Sequence, residues 1–173
     1  MNLKFKWFIS FLFTIILILV IQYQGKSLKT EVSPRGIVDL EFAGTISRLQ
    51  QLISRWDFWT VQLNILLDFL FIPSFTFFFI ISIKILVDSL DFKLIEKIGK
   101  TLIKFAFVAT LFDVLEDILM LFSIHGMNLK TGLPLTPYVA GIKFLIIAVI
   151  LSFLIVCLIL RLFVFLFKKN IPG

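Results

Sequence analysis

Five ionisable side chains stand inside apolar stretches of this chain, and they are the residues best able to do chemistry: Asp68, Asp113, Glu116, Asp117 and Lys143. Near the centre of a membrane-spanning helix each costs roughly 2.5–3.5 kcal/mol. Left unpaired, the five would cost on the order of 12–17 kcal/mol, more than a typical domain's net stability. They are therefore expected to face inward, to pair with one another, or to hold protons. Asp113, Glu116 and Asp117 stand at i, i+3 and i+4, which gathers them on one helix face. Asn64 and Asp68 form a second i, i+4 pair. Four acids against one lysine leave an excess of negative charge that protons or an entering cation must meet. Such a cluster is chemistry for a small polar ligand, a proton or a cation. Nothing in the spacing defines a coordination number, so no metal site is assigned and no cofactor is identified.

The elements that must hold these residues follow from composition. Of 173 residues 60% are hydrophobic, and 22 are Phe. A soluble domain of this length has too little interior to hide that much apolar surface. A bilayer does not impose that limit, and about 20 apolar residues suffice for each crossing helix. The formal net charge of +6 is compatible in isolation with nucleic acid, but the lysines flank apolar segments, where positive charge sets membrane orientation. Nucleic acid is therefore not an expected partner. The single Cys157 excludes an intramolecular disulfide and is expected to be a small core residue. The single His125 excludes a His-rich metal site.

The expected fold is an all-α bundle of four transmembrane helices forming one membrane domain, with an extra amphipathic helix on the extracytoplasmic side. The first span covers about 7–23, after Lys4 and Lys6. No small-x-small cleavage site follows it, which predicts an uncleaved signal anchor with its N-terminus inside. The outer loop and amphipathic helix occupy 24–60. Within it Ser33-Pro34-Arg35-Gly36 is turn chemistry. Val38, Leu40 and Phe42 then alternate with Asp39 and Glu41, a pattern that fits a short strand or the start of a helix equally well. Thr45 is a candidate cap for a helix of about three turns whose apolar stripe is Ile46, Leu49, Ile53 and Trp56. Arg48, Arg55 and Glu41 are expected at the outer mouth, and Tyr23, Trp56 and Trp59 in an interfacial belt.

The second span covers about 61–87 and contains Pro73, expected to kink it. The Phe75–Phe79 run is expected to face lipid. The third span covers about 103–124 and the fourth about 138–167, with His125 at the outer end of the third. Lys93, Lys97, Lys100 and Lys104 make the middle linker basic, and Arg161, Lys168 and Lys169 follow the last span. These charges predict a cell inner membrane protein with both termini in the cytoplasm. In that orientation all five buried ionisable residues share one layer in the outer half of the bundle. No internal repeat is present, so an inverted-repeat transporter is not indicated.

Several stretches together resemble a group of small, functionally uncharacterised bacterial four-helix integral membrane proteins. They are Gly36-Ile37-Val38 with Leu40-Glu41-Phe42-Ala43-Gly44 and Trp56, Leu67-Asp68-Phe69-Leu70-Phe71-Ile72-Pro73, Asp113-x-x-Glu116-Asp117, and Lys143-Phe144. The group more often has Asn where this chain has Asp117, which weakens a role carried over to that residue. The resemblance implies a four-helix architecture and no activity.

Three functions are compatible with these residues. In the first, the charged layer binds or conducts a small polar ligand, proton or cation. In the second, the protein is an accessory or assembly factor with a purely structural polar core, docking a membrane protein partner or a second copy. In the third it is a membrane-embedded enzyme on a lipid-like substrate, with Asp113 and Glu116 as acid and base and Lys143 tuning them. The third lacks any paired nucleophile and base, HExxH motif or phosphate-cradling glycine loop.

Overall fold

The computed structural model describes residues 2–90 and 92–168, and the side chains of all of these except 167 and 168. The terminal bases Lys168 and Lys169 thus lie outside the described side chains. The described residues are all-helical: α1 (Leu3–Gln24), the short α2 (Val38–Glu41), α3 (Ile46–Ile53), α4 (Phe58–Asp88), α5 (Lys93–Ile124) and α6 (Gly132–Lys168). Among the described residues three segments are long and apolar enough to cross a membrane: Leu3–Leu28, Phe58–Asp88 and Gly132–Leu166. α5 is just as long, but Asp113, Glu116 and Asp117 lie in its most apolar part and set it apart.

Local signals explain most of the boundaries. The side chains of Asn2, Thr45 and Asp57 cap α1, α3 and α4 by accepting backbone N–H groups of Lys4, Arg48 and Thr60. α4 runs through Pro73 without a break, and Thr76 Oγ1 donates to Ile72 O at 2.7 Å in the turn beside it. α5 begins well before the apolar run because Lys and Glu are good helix formers, with Glu96 and Lys100 paired at i, i+4. α6 likewise starts at Gly132, earlier than its apolar stretch. Pro134 falls in its first turn, where a missing N–H costs least.

The four long helices pack in chain order, α1 on α4, α4 on α5 and α5 on α6, with a lesser contact between α4 and α6. A polar ladder joins α1 antiparallel to α4. Trp7 Nε1 donates to Ser82 Oγ at 2.8 Å, Thr14 and Ser74 hydroxyls meet at 2.8 Å, and Asn64 Nδ2 donates to Ile21 O at 3.0 Å. α1 makes no extended contact with α5 or α6.

Two apolar clusters fill the rest. An outer one joins Leu28, Leu40, Leu49, Leu52 and Trp56 to Val61, Ile65, Met120, Ile124 and Leu133. A second contains Ile72, Phe75, Phe79, Ile80, Ile83, Leu102, Ala106 and Ile150. Along α4, Asp68 falls between Ile65 of the outer cluster and Ile72 of the second. The ionisable layer therefore separates two dry regions.

The segment with alternating charges forms α2, a single helical turn. Gly36, with φ of 66°, makes the left-handed turn that leads into it, and Gly44, with φ of 61°, makes the turn out to Thr45. The buried stripe of α3 is Leu49 and Leu52, continued by Trp56, whereas Ile46 and Ile53 are exposed. Trp56 is therefore not an interfacial anchor, unlike the exposed Tyr23 and Trp59. It is buried because its Nε1 donates to Leu28 O at 2.8 Å and Ser33 Oγ at 3.1 Å, joining the outer loop to α3. The Phe75–Phe79 run is split by helical phase: Phe75 and Phe79 are buried and Phe77 is exposed. Cys157 is buried.

Trp56→Phe removes both donations, and each lost buried hydrogen bond is worth about 1–3 kcal/mol. A lower Tm than wild type in lipid nanodiscs is expected. An unchanged Tm would show that the outer loop is held by other contacts.

Candidate functional site

Lys143 is the centre of the buried charges. Its Nζ lies 2.9 Å from Asp113 Oδ1, 2.8 Å from Glu116 Oε2 and 4.0 Å from Glu41 Oε2. It also stands 4.6 Å from the centroid of the Phe144 ring, within cation–π range. Lys143, Asp113, Glu116 and Glu41 come from α6, α5 and α2, so one ammonium ties three elements together. All four are buried, Glu116 completely.

Helix periodicity positions the acids as the sequence suggests. Asp113, Glu116 and Asp117 share the inner face of α5. Asp117 is only 1% exposed, and neither of its carboxylate oxygens has a hydrogen-bond partner among the described residues. Glu116 Oε1 and Glu41 Oε2 are likewise without one. Asp68 is half-buried on α4. A cavity of about 540 Å³ opens between α1, α2, α4, α5 and α6, and Asp68, Asp113, Asp117, Glu41 and Lys143 all contribute to its wall. The remaining wall is mostly hydrocarbon and ring: Phe11, Phe71, Phe75, Phe78, Phe79 and Phe144 among others.

Glu41 is the residue whose place the sequence conceals. Expected at the outer mouth, it turns inward because α2 is one helical turn held between two left-handed glycines. Arg35 clamps the start of that turn, with Nε and Nη2 donating to Asp39 Oδ1 at 3.0 and 2.8 Å and its backbone N–H to Asp39 Oδ2 at 2.8 Å. Burial pushes the Glu41 carboxyl above its ordinary range, and the Lys143 ammonium opposes that rise. The signal available beforehand was an acid flanked by apolar residues at the end of the turn, in Val38-Asp39-Leu40-Glu41-Phe42.

The other candidates sit elsewhere. Asn64 reaches the cavity wall, but its amide donates to Ile21 O and to Gln24 Oε1, so it serves the α1–α4 ladder. Arg48 stays at the outer surface, donating to Val32 O at 2.7 Å and lying 3.8 Å from Asp39. Arg55 is exposed. Neither arginine supplies a cation to the layer. His125 is exposed at the end of α5, its Nδ1 2.8 Å from Leu121 O and its ring edge-on to Phe58. Among the described residues no three carboxyl, His or Cys side chains converge as metal ligands would.

Five carboxyl groups thus share one ammonium in a region walled by hydrocarbon. In such surroundings an unpaired charge is far more costly than in water. Lys143 answers Asp113 and Glu116; the excess at Asp117 and Asp68 calls for protons or a cationic ligand. Comparison with protein-family models, curated proteins and solved structures finds no match.

Lys143→Met leaves the surrounding carboxyls without their counter-charge, and breaking a buried pair in this way costs about 3–5 kcal/mol. The expected result is a large fall in Tm in nanodiscs, partly recovered by adding Glu116→Gln. A double variant no more stable than Lys143→Met would mean that Lys143 acts through packing rather than charge.

Proposed function

We propose that this protein is a four-span membrane protein that binds a small cation in the cavity beside Asp117. The observation that carries the reading is Asp117 itself: almost fully buried, on the wall of a cavity, with both oxygens unpartnered. A polar core serving only packing satisfies its members, and here Asp117, on the wall of a space large enough for a ligand, has neither a hydrogen bond nor an ion pair among the described residues. Asp68 on the facing helix supplies a second carboxyl to the same wall.

In this reading α5 is the fourth span. Its charged face is turned to α4, α6 and the outer cap, so lipid meets only residues such as Leu111, Leu115 and Phe122, all exposed. Both termini lie in the cytoplasm of a bacterial cell, and the membrane is the inner one. Lys4, Lys6, Lys97, Lys100 and Arg161 support that orientation. On the opposite side Asp39 pairs with Arg35 and Arg48, which reduces the positive character of the outer loop. The four-helix group whose motifs this chain resembles agrees with this architecture.

The structural-core reading retains one observation of its own, the direct pairing of Lys143 with Asp113 and Glu116. An enzymatic reading gains none.

Orientation is checked by single cysteines in a Cys157→Ala background. A membrane-impermeant maleimide applied to intact cells is expected to label Ser54→Cys and to leave Lys97→Cys unlabelled until the cells are opened; the reverse pattern overturns the topology. Cation binding is checked by the Tm of nanodisc-embedded protein in sodium or methylammonium chloride, against N-methylglucamine chloride at equal ionic strength. A ligand at a hundred times its Kd stabilises the folded state by about 2.7 kcal/mol. Stabilisation by one of the small cations, lost in Asp117→Asn and weakened in Asp68→Asn, is expected. Identical Tm values in all three salts would leave the structural-core reading in possession.

A further inference from the structure

The apolar share of the cavity wall is the feature that a bare cation does not explain. A hard metal ion needs oxygen ligands on every side, whereas the cavity wall that carries Asp68, Asp117, Asp113, Glu41 and Lys143 is otherwise mostly hydrocarbon, Phe71, Phe75 and Phe78 among it. Carboxylates bordered by aromatic and aliphatic side chains are the recognition set of an organic ammonium, whose charge meets the acids while its carbon substituents lie on the apolar wall.

The route to that wall runs sideways. α1 has no extended contact with α6, and the space between them is open along the helices. Beside the charged cavity lies a second one of about 720 Å³, with Trp7 and Phe8 of α1 on one side and Leu151, Ile155 and Leu158 of α6 on the other. Phe78 lines both, so the two adjoin, and this second cleft reaches towards Lys4 and Arg161 at its other end. Several of its lining residues, among them Phe8 and Ile155, are exposed hydrophobics. A protein helix laid along this seam could cover the apolar side chains, but a dry apolar face would leave Asp117 without a partner. A single-chain amphiphile with a positive head answers both ends at once.

We infer that the ligand of this site is an alkylammonium amphiphile that enters from the lipid between α1 and α6, its ammonium at Asp117 and Asp68 and its hydrocarbon chain along the adjoining cleft. The inference rests on the proposed cation site and adds the ligand class and the route. The net charge of the wall excludes anionic head groups of the same chain length. The basic residues at the far end of the cleft favour the same polarity, because they repel a cationic head from that mouth and leave it for the acids.

The test uses the full-length protein in nanodiscs with a dodecylammonium probe carrying a photoreactive diazirine in mid-chain. Adducts mapped by mass spectrometry are expected on cleft residues such as Phe8, Leu151 and Ile155. Unlabelled dodecylammonium should compete, and dodecyl sulfate should not. Asp117→Asn should lower cleft labelling about tenfold, the equivalent of roughly 1.4 kcal/mol for one charge-assisted contact. Ile155→Trp, a change at a lipid-exposed position outside the charged layer, should block the cleft and lower labelling while leaving the methylammonium effect on Tm intact. Adducts spread evenly over the lipid-facing surfaces of α1 and α6, or equal competition by the sulfate, would overturn the inference. If methylammonium still stabilised the protein through Asp117 in that case, the cation site would stand without the lateral route. If neither effect appeared, both readings would fall together.

Discussion

The contacts that tie α2, α5 and α6 together centre on one ammonium group buried among carboxyls. Lys143 reaches Asp113 and Glu116 on the preceding helix α5 and Glu41 on the distant α2. In a low-dielectric interior such a set of charges is stable only when its members are close and well placed, and removing one partner is much worse than removing all. That constraint explains the layering. Apolar clusters on either side exclude water from the charges, and the charges in turn fix how α5 and α6 are set against each other.

The outer cap extends the same logic. Arg35 and Asp39 stabilise one helical turn, two glycines in left-handed conformation bend the chain into and out of it, and Glu41 is thereby turned towards Lys143. Trp56 holds the preceding loop through Leu28 O and Ser33 Oγ. The outer segment is thus a lid whose underside carries one of the five acids. It is not merely an amphipathic helix resting on the bundle.

α1 is attached differently from the other long helices. It meets α4 through hydroxyl, amide and indole hydrogen bonds and leaves its seam with α6 open. Hydrogen bonds of this kind between helices in membranes average only about 0.6 kcal/mol each. A helix held along one side in this way suits the proposed entrance between α1 and α6, because the polar core does not depend on that seam.

By itself the sequence determined the apolar segments, the gathering of Asp113, Glu116 and Asp117 on one face, and the requirement that such buried groups pair, turn inward or hold protons. These follow from composition and from the 3.6-residue period, which are properties of single segments. It did not determine that Glu41 turns inward, that Asn64 is spent on α1, that Arg48 remains at the surface with Asp39, or that Trp56 leaves the interface for the core. Nor did it mark where α5 and α6 begin, because good helix formers and first-turn prolines let a helix run beyond its apolar stretch. The cleft between α1 and α6 was invisible for the same reason as the place of Glu41. Periodicity states which residues of one helix share a face, whereas the partner of that face is decided only when hydrogen bonds, charges and packing from distant segments are satisfied together.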